Sequence, residues 1–166
     1  MNARTAFAVS VATYVVLLAV AALELPTRVP VHFGTSGGAD RWAGRTEAVV
    51  TFGLLGLLVG GIFGLFGALG DRVPLALVSV PHKRWWTADA HRTARLRGLL
   101  RTDMYWFGAT TLAFLGVVVV LTVRAANLAD PHLDGWFAVT LGVYLASVAG
   151  YLWYCWTMRY RPEPEG

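Results

Sequence analysis

At 166 residues, with 56% hydrophobic and only 14% charged residues, the chain is too apolar for a soluble globule, where charged residues run near a quarter. Its one cysteine, Cys155, excludes an internal disulfide and a cysteine-cluster metal site. The net charge of +4, in so apolar a chain, points to basic loops on the cytoplasmic side rather than to nucleic acid.

Four stretches reach the roughly 20 apolar residues that a hydrocarbon core requires: 5–23, 48–69, 105–123 and 136–158, none with Asp, Glu, Lys or Arg in its interior. They predict an all-α integral membrane protein. Its single domain is a four-transmembrane-helix bundle with a short extracytoplasmic cap, 25–42, and a basic cytoplasmic amphipathic connection, 70–102. Arg4 and Ala19-Val20-Ala21 imitate a secretory signal and its cleavage site, but the apolar run exceeds a usual h-region, so a retained first helix is expected.

In the cap, Pro26 and Pro30 end the helix and hold the chain extended. Val29, Val31 and Phe33 alternate with Pro30 and His32, enough for one strand or extended edge. Gly34-Thr35-Ser36-Gly37-Gly38 must turn, and Asp40-Arg41-Trp42 leads back to the membrane, with Trp42 suited to the interfacial aromatic belt.

On the second span, Gly56, Gly60 and Gly64 form a small-xxx-small stripe that serves packing within the chain or a homodimer. Residues 73–80 are apolar but too short to span, and read as interfacial or re-entrant. Lys83, Arg84, Trp85 and Trp86 combine charge and aromatic rings, as at a lipid headgroup boundary. Thr87 is the expected cap of a helix running through 88–100 into the third span. On that helix Arg92, Arg95, Arg97 and Arg101 face headgroups or water, where they engage anionic lipid or a cytosolic partner. After Arg124 a short connection reaches the fourth span, whose Trp136, Trp153 and Trp156 look like belt anchors. The proline-acid tail is expected to be partly mobile.

Arg4, the seven Lys/Arg of the long connection, Arg159 and Arg161 put ten basic residues on one side. Arg28, Arg41, Arg45 and Arg124 put four on the other. The positive-inside rule then places both termini in the cytoplasm, in a multi-pass protein of the cell membrane, with the cap outside.

Chemistry is sparse. His32, His132, Asp40, Asp130, Asp134, Glu24 and Glu47 lie on the outer side, yet no ligand-spaced pair occurs among them and zinc takes three or four ligands. Ser36 lacks the strand-turn-helix setting of a nucleophile elbow, and no G-K-[ST] follows the glycines. Span interiors without ionisable residues argue against an ion pathway. The expectation is no catalytic residue, no metal, no cofactor and no nucleic-acid partner. His32, Phe33, Asp40 and Trp42 are candidates for contacting an external peptide or membrane partner. The bland alternative is that His32 and Asp40 hydrogen-bond their own turn.

Residues 25–42 resemble a motif of a bacterial membrane family, domain of unknown function 1648: leucine-proline, a proline and histidine, an aromatic, then glycine and aspartate. Here it falls on Leu25, Pro26, Pro30, His32, Phe33, Gly37 or Gly38, and Asp40. Pro81-His82-Lys83-Arg84-Trp85-Trp86 resembles the family's second signature, although members often carry Asn where His82 stands. The domain also forms the N-terminal module of immunity proteins against a sporulation-delaying toxin, which continue into a further multi-span region. The resemblance thus implies a non-enzymatic envelope sensor or immunity-like accessory. The alternatives are a structural subunit of a larger membrane complex and, less favoured, a metal-dependent outer-face enzyme.

Overall fold

A computed structural model describes residues 1–34, 37–132 and 135–162. The expected turn at Thr35 and Ser36, the candidate ligand Asp134 and the tail from 163 lie outside them. The chain is mostly helical. Its helices α1 (Ala3–Glu24), α2 (Arg45–Leu69), α4 (Ala90–Ala126) and α5 (Gly135–Tyr154) are each long and apolar enough to cross a membrane. Between α1 and α2 lie strands β1 (Arg28–Phe33) and β2 (Ala39–Gly44); a single turn, α3 (Lys83–Trp86), precedes α4.

Local chemistry fixes the boundaries. Asn2 caps α1 by accepting from the Thr5 amide at 2.8 Å, and Pro26 follows its end. Asp89, not Thr87, caps α4, accepting from the Arg92 amide at 2.8 Å. The Thr87 hydroxyl donates back to the Lys83 carbonyl at 3.0 Å. α4 runs unbroken for 37 residues, about 55 Å at 1.5 Å per residue, so its basic first turns project beyond a core of about 30 Å. Residues 73–80 do not span: a 3₁₀ turn at Leu75–Leu77 leaves Leu77 79% exposed, while Leu75 and Val80 pack against buried Trp86 and Leu96.

α4 is the axis. α1 and α2 pack on it and on each other, whereas α5 touches α4 alone among the long helices. The expected bundle is thus a three-helix core with α5 laid on another face of α4. Tyr14, Ala21, Leu112 and Val119 fill that core, joined by Leu25, Val29 and Ala48 at the hairpin end. Glycines set the closest approaches. A Cβ on Gly56 would sit 2.1 Å from the Tyr14 ring, and one on Gly108 2.7 Å from Phe63 Cβ. Tyr14 is locked there by donating to the Phe52 carbonyl at 2.7 Å. The Gly56, Gly60 and Gly64 stripe is not one seam: Gly64 only meets Phe7, at 3.4 Å, and Gly60 meets nothing within 4 Å.

Candidate functional site

β1 and β2 pair antiparallel, from Arg28 opposite Gly44 to Phe33 opposite Ala39, with irregularities either side of His32. This corrects the expectation of a single strand. A regular strand would alternate its faces; here neighbouring Val29 and Pro30 are both buried, and Val31 and His32 are both exposed. Gly37, at φ 83°, makes the turn with Gly34 and Gly38. The connection between α4 and α5 closes on the hairpin through a bridge between Gly38 and His132 and an Ala39 amide donating to the Pro131 carbonyl at 3.3 Å.

The hairpin divides the four candidates. His32 Nδ1 and Asp40 Oδ1 lie 2.6 Å apart, with side chains 66% and 51% exposed. Trp42 is 39% exposed and carries the Arg28 guanidinium 5.4 Å above its ring. Phe33 and His32 instead border a cavity of about 540 Å³ beneath the hairpin. Its walls come from the hairpin, α2, α4 and the first turn of α5. α2 and α4 are tight at the far end, where Gly67 meets Tyr105 and Phe63 meets Gly108. The contacts joining α5 to α4 lie towards the same end: Tyr151 with Asp103 and Phe107, and Tyr144 with Thr111 and Phe114. His132 borders the same cavity, but its Nδ1 donates to the Asp130 carbonyl at 2.9 Å. Among the described residues no three His, Cys, Asp or Glu side chains gather as a metal site requires.

The opposite end holds the basic candidates, and several bond within their own chain. Arg97 donates from Nη1 to the carbonyls of Gly70 and Val73, each at 3.2 Å, and to that of Asp71. It thereby satisfies backbone groups left over where α2 ends. Arg101 pairs with Asp71 at 3.6 Å, and Lys83 donates to the Ala76 carbonyl at 3.1 Å. Arg92 stacks 4.2 Å from the Trp85 ring centre and Arg95 lies 5.9 Å from that of Trp86. Trp86 is buried, its indole N–H donating to the Tyr160 carbonyl at 3.0 Å. Arg84 is exposed.

One cluster escaped the sequence reading. Asp103, 3% exposed, accepts at Oδ1 from Tyr151 at 2.8 Å and Arg159 Nη2 at 2.6 Å, and at Oδ2 from Tyr160 at 2.5 Å. Burial pushes the Tyr160 phenol up, and its bond to the carboxylate pushes it further, keeping it a donor. α5 ends in a π-turn, Cys155–Arg159, which brings Arg159 and Tyr160 to the carboxylate together. The clue was depth: an acid at the inner end of one predicted span and an arginine at the inner end of the next must share a level.

Residues 9–57 match the family model described as Domain of unknown function (DUF1648). The matched residues cover most of α1, the hairpin and the first half of α2; the second signature, around Pro81, lies beyond them. No curated protein and no solved structure matches the chain.

Proposed function

We propose that this chain is a non-enzymatic, multi-pass protein of the cell membrane, with both termini cytoplasmic, that recognises a peptide or membrane partner through its hairpin. The observation that carries the reading is the exposed His32–Asp40 pair beside exposed Trp42 and Val31, presented by a hairpin anchored on buried Val29 and Pro30. Placing recognition groups on a rigid support lowers the ordering cost of binding. The ten-to-four bias of basic residues supports the orientation; the sensor or immunity-like kind of role is carried over from the resemblance of residues 25–42 alone.

The test is affinity purification of the full chain from its native membrane, with cross-links mapped by mass spectrometry. A partner cross-linked at 28–44 and lost from the variant carrying both His32→Ala and Asp40→Ala is the expected result. Unchanged retention of partner and unchanged toxin tolerance, in a variant that purifies folded, would remove the reading.

A structural-subunit reading draws on a second observation: Gly60 and Gly61 on α2 meet no side chain of their own chain within 4 Å. That face admits a helix of a second copy or of another subunit. A stable lone species after gentle detergent extraction counts against it.

A further inference from the structure

We propose that the 3₁₀ turn at Leu75–Leu77 is seated in an anionic lipid surface, with Leu77 among the acyl chains and Arg72 and Arg84 on the phosphates. The seat lies at the end of the molecule away from the hairpin and stands apart from the recognition reading.

The level of the turn follows from α2. That helix has 25 residues, about 37 Å at 1.5 Å per residue, enough to cross a core of about 30 Å. It stays apolar to Leu69, so its C-terminal end reaches a membrane surface. Arg97 then gathers the carbonyls of Gly70, Asp71 and Val73, which keeps the chain at that level through Val73. Leu77 follows shortly after, in a stretch, 73–80, that carries no charged residue.

The flanks of the turn are fixed and its tip is bare. Leu75 and Val80 pack on buried Trp86 and Leu96, yet Leu77 between them is 79% exposed. Among the described residues outside the spanning helices, only Met1 is a more exposed large apolar side chain. Lys83 Nζ donates to the Ala76 carbonyl at 3.1 Å, which brings the start of α3, and with it Arg84, close to the turn. Arg72 and Arg84 are exposed, and neither forms an ion pair among the described residues.

The other candidates for lipid contact are engaged elsewhere. Arg92 and Arg101 pair with Asp89 and Asp71, and Trp86 is 1% exposed. An outward leucine beside two unpaired arginines is complementary to a leaflet that is apolar below and lined with phosphate above. Each basic residue near such a surface favours its occupancy about fivefold. The leaflet already surrounds the end of α2 at that level, whereas a soluble partner would have to displace it.

The test places a nitroxide label at Leu77→Cys in a Cys155→Ser background of the full chain. The protein is reconstituted in phosphatidylcholine vesicles with or without phosphatidylglycerol, and accessibility to oxygen and to a water-soluble nickel complex is read. With phosphatidylglycerol, residue 77 should match Leu54→Cys on the exposed face of α2. Both should be rich in oxygen and several-fold poorer in nickel than His91→Cys on the first turn of α4. Adding Arg72→Gln and Arg84→Gln, or omitting phosphatidylglycerol, should raise nickel accessibility at residue 77 several-fold without shifting thermal unfolding. Nickel accessibility equal to that at residue 91 overturns the seat and leaves the turn to a soluble partner. A label closed to both reagents also overturns it, in favour of a second copy or another membrane chain. A lipid-like residue 77 indifferent to both arginines and to phosphatidylglycerol overturns the phosphate assignment.

Discussion

Asp103 shows how much one buried charge can fix. Its carboxylate takes Tyr151, Arg159, Tyr160 and, more weakly, the Cys155 thiol as donors, so the segment after α5 is tied to α4 by the same group. A buried ion pair adds little net stability over an apolar replacement, yet breaking it from one side costs about 3–5 kcal/mol because the partner stays buried and unpaired. Asp103→Ala should therefore lower stability by about that amount, and thermal unfolding in detergent, followed by tryptophan fluorescence, would report it. Asp103→Leu with Arg159→Met should recover most of the loss; a double variant as weak as the single one would rule out this account. Composition hid the site, because Asp103 closes a run of arginines and reads as one more loop charge. Left-handed His82, at φ 54°, was not foreseen either, although His is among the few side chains that tolerate that conformation.

The four spanning helices were legible because twenty apolar residues leave few other structures, and α1 ends where Pro26 says it must. Strand β2 was not legible. Asp40, Ala39 and Gly44 are poor strand formers, and the ladder forms because β1 lies alongside and the connection between α4 and α5 closes over Gly38 and Ala39. The glycine stripe was legible as a pattern but not as a contact map, since spacing locates a face and cannot say which face meets a neighbour. The tightest glycine for a neighbour near its backbone is Gly108, wedged against Phe63 Cβ and the Phe7 ring. Overpacking such a seam costs about 1–3 kcal/mol. Gly108→Ala should show that loss, whereas Gly60→Ala, facing open space, should leave monomer stability unchanged. Equal losses at the two positions would mean that α2 and α4 are packed differently from the arrangement described.

For the molecule as a whole, the two ends are built differently. At the Asp103 end, glycine contacts, the Arg97 bonds to the end of α2 and the buried carboxylate draw the helices together. At the hairpin end the hairpin, α2 and α4 border a cavity of about 540 Å³. The bonds of Arg97 and Arg101 within their own chain do not undo the charge asymmetry, because translocation responds to basic residues flanking the spans before tertiary contacts form. Sidedness can therefore be tested independently of packing. In a Cys155→Ser background, Thr27→Cys beside the hairpin and His91→Cys on the first turn of α4, both exposed, should react oppositely with a membrane-impermeant maleimide. Thr27→Cys should label in intact cells and His91→Cys only after permeabilisation. The reverse pattern would put the hairpin in the cytoplasm, where an external peptide could not reach it, and labelling of both in intact cells would mean that α2 does not cross.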